Sequence, residues 1–269
     1  ETPGYRREAD ADGADDGGDA VDVDALQGGA GLGLAICKRI VESMGGSITI
    51  DSEQMIAVDS SMDNIRDTDY EAALADIQAR LNEELNVKIG YAPRSLTVHQ
   101  PECEMLNWAC DALYDMAVQV YDGQVDFAVV NIGGMRCDWQ AGDITRRHIY
   151  ELMPFDNMLV ILTLTGQDII DLCNIFAEQG GQGVSRQLRM EMKNKKARNI
   201  TLNGKNILPE AYYYVATSDY LSGGADHFTP LARFVERKDT NCKIRDLYLQ
   251  YAEQQQTIVA AVDGRMKQL

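Results

Sequence analysis

Two glycine-containing segments are the parts of this sequence best suited to hold a ligand. One of them, Asn131-Ile-Gly-Gly-Met-Arg136, directly follows a nearly continuous apolar run over residues 125–130. Its glycines, Gly133 and Gly134, allow the backbone to turn sharply and to approach a ligand closely. The other segment, residues 28–33, opens a stretch with helical periodicity. Both patterns indicate binding.

Residue types that usually carry out catalysis are sparse. The chain has three histidines, none preceded by a carboxylate two residues earlier, and six cysteines without a CxxC pair. It has no Gly-x-Ser-x-Gly turn for a nucleophilic serine and no Walker phosphate loop. The sequence therefore predicts no catalytic residue, no metal site and no cofactor held by this chain.

The charge and hydropathy of the chain exclude some partners. The formal net charge is −17, whereas binding to a nucleic-acid backbone needs clustered lysine and arginine. The sequence contains no run of 18 apolar residues, about the length needed to cross a membrane, and its first residues lack the pattern of a secretory signal. We therefore expect a small ligand, with neither a nucleic-acid polymer nor a membrane as partner.

Composition divides the 269 residues into four parts. Residues 1–27 consist largely of glycine, aspartate and alanine, a composition that predicts a disordered acidic tail. Residues 28–53 follow as a glycine loop, a helix and a short strand, and residues 54–66 as a linker. Residues 67–269 form the main domain.

Hydrophobic periodicity predicts a mixed α+β architecture for that domain. The dipeptide Asn203-Gly204 is the strongest hairpin signal. Helices are predicted over residues 67–85, 102–120, 144–152, 166–178 and 241–267, strands over residues 88–98, 125–130, 158–165, 185–193, 200–202, 207–208 and 212–217, and a loop over residues 221–226.

The segment over residues 28–50 resembles the second glycine box of sensor histidine kinases, with the helix and strand that follow it. Amide groups of glycines such as Gly29, Gly31 and Gly33 at a helix amino terminus suit the phosphates of ATP. The remaining parts of a kinase ATP site have no counterpart upstream. We interpret the segment as a kinase fragment, with an ATP site as the alternative.

Residues from 60 to about 251 resemble the C-terminal domain of the 5'-nucleotidase family, the half that holds the nucleoside. Seven motifs carry the resemblance, in order and at similar spacing. They are Ile89-Gly-Tyr-Ala92, Pro101-Glu-Cys-Glu-Met-Leu-Asn-Trp108 with Asp111-Ala112, Asn131-Ile-Gly-Gly-Met-Arg136, Gly142-Asp-Ile-Thr145, Leu152-Met-Pro-Phe-Asp-Asn157, Leu164-Thr-Gly166 and Tyr214-Val-Ala-Thr-Ser-Asp-Tyr-Leu-Ser-Gly-Gly-Ala-Asp226.

The resemblance implies a role for individual residues. Phe155 and Tyr220 match the aromatics that stack on the base, and Asn131 matches an asparagine that hydrogen-bonds it. Arg136 matches an arginine near the phosphate end, and Asp226 an aspartate that accepts from ribose hydroxyls. Each assignment has an alternative. Phe155 and Tyr220 could be core aromatics, and Asn131 could be a turn residue at the end of a strand. Arg136 could form a surface ion pair, and Asp226 could cap its own loop through an Asx turn.

Two departures from the family pattern affect this transfer. His99 stands where members often have an arginine, which would weaken a phosphate contact there or make it pH-dependent. Ala225 and His227 replace glycines beside Asp226, so the backbone of that loop is expected to differ.

Hydrolysis in the family depends on two metals in an N-terminal metallophosphatase domain, whose motifs are missing here. The resemblance therefore implies nucleoside or nucleoside monophosphate recognition for a hydrolase of nucleotide catabolism, without catalysis by this chain alone. The two divalent metals would belong to a metallophosphatase domain, either on a separate partner chain or in a longer enzyme. A purely structural partner domain is a further alternative. The family suggests a periplasmic or extracellular location.

Overall fold

The computed structural model describes residues 68–269, except for the side chains of Tyr70, Ala73 and Asp76. The predicted acidic tail, glycine segment and linker lie outside the described residues and stay predictions. Residues Asp69–Leu269 form one compact unit.

Within that part of the chain, helices and strands alternate irregularly. The helices are α1 (Thr68–Leu85), α2 (Glu104–Val120), α3 (Arg146–Leu152), α4 (Gly166–Gln179), α5 (Asp219–Ser222) and α6 (Ile244–Gln255). The strands are β1 (Lys88–Ala92), β2 (Phe127–Val130), β3 (Gly142–Thr145), β4 (Met158–Thr165), β5 (Gly183–Val184), β6 (Leu188–Lys193), β7 (Lys196–Leu202), β8 (Lys205–Asn206), β9 (Tyr212–Ser218), β10 (Glu236–Lys243) and β11 (Met266–Gln268). Three 3₁₀ turns cover Ile132–Gly134, Ala225–His227 and Thr229–Arg233.

A five-stranded sheet in the order β10-β4-β9-β2-β5 forms the centre of the domain. Strands β2 and β9 are parallel, and the other neighbours are antiparallel. A four-stranded sheet, β11-β6-β7-β8, and a β1-β3 pair complete the strands. The mixed sheets confirm the predicted α+β class.

The central sheet separates two hydrophobic cores. In β2, Phe127 and Val129 face the core that contains α4, whereas Ala128 and Val130 face the core that contains α2 and α6. All four residues of β2 are buried. A strand covered on both faces is what its continuous apolar run predicted.

Several other predicted elements are confirmed. Strand β4 has the predicted bounds, and α4 begins at a capping box in which Thr165 and Asp168 exchange hydrogen bonds. The hairpin between β7 and β8 turns at Asn203 and Gly204, whose φ angles are 48° and 76°. Positive φ at both residues is the geometry that an Asn-Gly pair favours.

Other predictions about local structure were wrong in part. The strand over residues 88–98 ends at Ala92, before Pro93, which has no N–H for pairing. The helix over residues 144–152 begins only at Arg146, because residues 142–145 pair with β1 and Thr145 then caps the helix. The loop over residues 221–226 includes the end of α5, whose first turn is capped by Ser218.

The helix predicted over residues 241–267 was too long. Helix α6 ends at Gln255, and the next residue, Gln256, adopts a φ of 57° although it is not glycine. The chain then runs beside β1, where the Tyr91 N–H donates to the Gln256 carbonyl and the Ile258 N–H to the Tyr91 carbonyl. The helix therefore ends where the chain pairs with β1. No glycine or proline near residue 256 marks this end in the sequence.

Helix α1 was predicted from an apolar stripe that includes Leu74, Ile77, Leu81 and Leu85. The helix is present, but Ile77 and Leu81 are 54% and 48% exposed. The described residues therefore leave most of that face uncovered. No helix among residues 68–269 is long and apolar enough to cross a membrane.

Candidate functional site

A cavity of about 280 Å³ lies where three separate segments of the chain meet. Seven of its eight lining residues were predicted from the sequence as ligand-binding positions, and Asn157 was not. The lining residues are Asn131, Gly133, Gly134, Arg136, Phe155, Asn157, Tyr220 and Asp226.

The glycine turn after β2 supplies half of the lining. Asn131 ends the strand, and its carbonyl accepts from the Gly134 N–H at 3.0 Å. A Cβ added at Gly134 would lie 2.8 Å from Asn131 Oδ1. Glycine at this position therefore lets the backbone pack directly against the asparagine amide, and this fixes where the amide stands.

Asp226 lies opposite this turn, at the end of a tight loop. Its φ of 54° and the φ of 66° at His227 are left-handed. Its carboxylate accepts from Asn131 Nδ2 at 2.5 Å and from the Tyr220 hydroxyl at 3.0 Å. The side chain thus faces the cavity instead of capping its own loop. Such φ angles are unusual for residues other than glycine. A difference from the family's loop backbone stays a prediction.

Tyr220 is held at its backbone and at its hydroxyl. Asp219 Oδ1 accepts from the Tyr220 N–H at 2.9 Å and from the Met158 N–H at 3.0 Å, which ties α5 to β4. The hydrogen bond to Asp226 and the charge of that carboxylate raise the pKa of the Tyr220 hydroxyl. The ring itself stays 50% exposed, so Tyr220 is not a core aromatic.

Phe155 and Arg136 form the remaining side of the cavity. Phe155 is 39% exposed, so it too presents a free ring face. The Arg136 guanidinium carbon lies 6.0 Å from the centre of that ring, and Nη1 donates to the Gly133 carbonyl at 3.2 Å. Arg136 forms no ion pair with a described residue, which leaves its charge available to an anionic ligand.

His99 is the one predicted site residue of the described chain that does not line the cavity. Its Nδ1 lies 3.3 Å from the carbonyl oxygen of Gln100. Gln100 in turn donates from Nε2 to the Gln179 carbonyl at 2.8 Å. His99 therefore lies on a segment packed behind the cavity. A phosphate contact from His99 stays a prediction.

One lining residue and two residues that support the lining from behind were not predicted from the sequence. Asn157 stood within a quoted motif but received no role. Gln179 donates from Nε2 to the Asp226 carbonyl at 3.0 Å, and Gln182 accepts from the Ile132 N–H at 2.8 Å. Nothing in the local sequence distinguishes these glutamines from surface residues, because their partners are distant along the chain.

The described residues do not fit a catalytic metal. Among residues 68–269, no group of three or more histidine, cysteine, aspartate or glutamate side chains is placed to hold an ion. The cavity instead combines two aromatic faces, a carboxylate, an amide and a guanidinium. That set of groups can bind a flat, polar molecule with an anionic end.

The chain is similar in sequence to known proteins of one family. The family model described as 5'-nucleotidase, C-terminal domain, matches residues 81–233, more than half of the chain. The 5'-nucleotidase of Vibrio cholerae is 26% identical over 159 residues, which is 58% of this chain and 29% of that protein. Protein UshA of Escherichia coli is 26% identical over 162 residues, 59% of this chain and 29% of that protein.

Solved structures show the same fold. The 5'-nucleotidase precursor of Thermus thermophilus superposes with a TM-score of 0.66 at 23% identity, over 76% of this chain and 44% of that one. The chain thus spans less than half of the length of each of these proteins. Because the family model matches more than half of the chain, this chain belongs to the 5'-nucleotidase C-terminal domain family.

Proposed function

We propose that the cavity binds a nucleoside or a nucleoside monophosphate. In this proposal the domain is the substrate-recognition part of a 5'-nucleotidase-like phosphoester hydrolase of nucleotide catabolism. One observation carries the proposal: three separate segments of the chain line a single cavity, with the side chains of Asn131, Arg136, Phe155, Tyr220 and Asp226.

The exposed aromatic rings support recognition of a nucleobase. Phe155 and Tyr220 are 39% and 50% exposed, and both line the cavity. Every base has a π face, and stacking on an aromatic side chain contributes about 1–3 kcal/mol. We therefore assign the base to these two residues.

The polar groups support recognition of the rest of the molecule. The Asn131 amide can both donate and accept, which suits the edge of a base. The Asp226 carboxylate accepts only, which suits ribose hydroxyls. The Arg136 guanidinium is planar and always charged, and its fork of donors matches phosphate oxygens.

Hydrolysis would need groups that the described residues lack. Two divalent metals could generate a nucleophilic hydroxide and stabilise the leaving oxygen, but residues 68–269 provide no metal-binding cluster. We propose that a metallophosphatase domain, either on a separate partner chain or in a longer enzyme, holds these metals. No step of the reaction is assigned to residues of this domain.

Calorimetry with the full chain tests the binding proposal. Adenosine and adenosine monophosphate should bind, and Phe155→Ala should weaken both by about 5- to 150-fold, the equivalent of one lost stacking contact. Tyr212→Ala is the matched control, because Tyr212 is 58% exposed and lies outside the cavity.

Two outcomes would count against the proposal. The absence of binding heat with any nucleoside or nucleotide would exclude it. Binding that survives Phe155→Ala unchanged but disappears when residues 1–53 are removed would instead favour an ATP site at Gly29, Gly31 and Gly33.

A further inference from the structure

A line of hydrogen-bonded amides connects the two loops that form the polar side of the cavity. The Ile132 N–H donates to Gln182 Oε1 at 2.8 Å, and Gln182 Nε2 donates to Gln179 Oε1 at 2.7 Å. Gln179 Nε2 then donates to the Asp226 carbonyl at 3.0 Å. We call Gln182 and Gln179 the glutamine relay.

The relay has only one workable polarity. The backbone N–H of Ile132 can only donate, and the carbonyl oxygen of Asp226 can only accept. Both side-chain amides must therefore point their oxygens toward Ile132 and their nitrogens toward Asp226. Turning either amide would place two donors or two acceptors against each other, so the ends of the relay determine the orientation of its middle.

The backbone between the two glutamines is fixed as well. Gly180 and Gly181 have φ angles of 91° and 120°, which turn the chain sharply after α4. Gln100 Nε2 donates to the carbonyls of Gln179 and Gly181, at 2.8 Å each. Gln182 is only 7% exposed. The relay is thus held from behind and does not depend on a flexible surface side chain.

At its far end, the relay forms a hydrogen bond with the backbone of Asp226, where the chain has an unusual conformation. Asp226 and His227 both have left-handed φ angles, which residues other than glycine rarely adopt. In this backbone conformation the Asp226 carboxylate reaches Asn131 and Tyr220. A bond to the Asp226 carbonyl therefore helps to determine where its carboxylate stands.

We propose that Gln179 and Gln182 are positioning residues for ligand binding, which act through Asp226 and do not touch the ligand. This inference rests on the proposed nucleoside site. It adds that the Asn131 turn and the Asp226 loop are kept in register by the relay, so that the polar side of the cavity is formed before a ligand arrives.

Adenosine binding by the full chain tests the relay. Gln179→Met and Gln182→Met keep the length of the side chain but remove its hydrogen bonds, and each should weaken binding about 3- to 10-fold. Gln187→Met is the matched control, since Gln187 is 9% exposed and its Oε1 has no hydrogen-bond partner among the described residues. The control should bind like the wild type.

A double-mutant cycle shows whether the relay acts through Asp226. In an Asp226→Ala background, Gln179→Met should change the affinity less than twofold, because the group that it positions is gone. An equal loss in both backgrounds would overturn the proposal, as would unchanged affinity of both single variants when Phe155→Ala still weakens binding.

Hydrogen exchange in the free protein provides a test that does not depend on any ligand. Amides of residues 224–228 should exchange several-fold faster in both relay variants than in the wild type or Gln187→Met, while β4 exchanges at its normal rate. If the wild type binds no nucleoside, the proposed function fails, and unchanged exchange at residues 224–228 would separately overturn the relay.

Discussion

Replacing Arg265 with methionine should lower the free energy of unfolding by about 3 kcal/mol, near the lower end of the cost of breaking a buried ion pair. The side chain is 4% exposed. Its guanidinium makes five hydrogen bonds, with Asp111, Asp263 and the Val184 carbonyl. The carboxylates of Asp111 and Asp263 are 20% and 34% exposed, so water recovers part of the loss.

Thermal unfolding followed by circular dichroism measures this effect. For a domain of this size, about 3 kcal/mol corresponds to a fall in Tm of roughly 6–12 °C. Arg189→Met is the control, because Arg189 pairs with the same Asp263 but is 44% exposed, and an exposed pair contributes at most about 1 kcal/mol. Equal shifts in the two variants would refute the reasoning.

The wild type and Arg265→Met should also differ in how their stability responds to acid. Partial burial acts to raise the pKa of Asp263, but the hydrogen bonds and charge of Arg265, with the charge of Arg189, lower it below the ordinary 3.8. A lowered pKa contributes stability above pH 3.8 that is lost as the pH falls through the folded value. The gap in Tm between wild type and Arg265→Met should therefore narrow below about pH 4.

Two further substitutions test the cavity itself. Arg136→Gln should weaken binding of adenosine monophosphate by about 1 kcal/mol, roughly fivefold, because the guanidinium is solvent-exposed, and should leave adenosine binding unchanged in calorimetry; equal losses for both would place Arg136 away from the phosphate. Gly134→Ala should displace the Asn131 amide, since its Cβ would lie 2.8 Å from Oδ1, and weaken adenosine binding by about 0.5–1.5 kcal/mol without lowering Tm; unchanged affinity would contradict a fixed amide.

The elements that could be predicted are those whose hydrophobic pattern in the sequence matches their burial in the fold. Strand β4 and the buried strand β2 were predictable because both faces of a central strand select apolar residues. Strand β10 was missed because it lies at the sheet edge, where a pattern of mostly charged and polar residues over Glu236–Lys243 protects against further pairing. Such a pattern has no hydrophobic alternation to detect.

The cavity was predictable for a different reason. Its lining residues stand in motifs with glycines and aromatics that can be quoted from the sequence, and the structure brings seven of them together. The residues behind the lining carry no such signal. Gln179 and Gln182 act on partners 47 and 50 positions away, a relation that depends on how the sheet and loops pack.

In the free cavity the aromatic rings are exposed, whereas the carboxylate already accepts hydrogen bonds. Phe155 and Tyr220 are 39% and 50% exposed, so a ligand that stacks on their rings buries surface without breaking a hydrogen bond. Each carboxylate oxygen of Asp226 already accepts one hydrogen bond and keeps a lone pair for a second, so a ligand hydroxyl that binds there exchanges its bond to water for a bond to the carboxylate, at little net gain. Stacking should therefore supply most of the affinity. The polar groups should supply discrimination, because a ligand that displaces Asn131 or Tyr220 without offering a donor leaves a carboxylate oxygen unpaired.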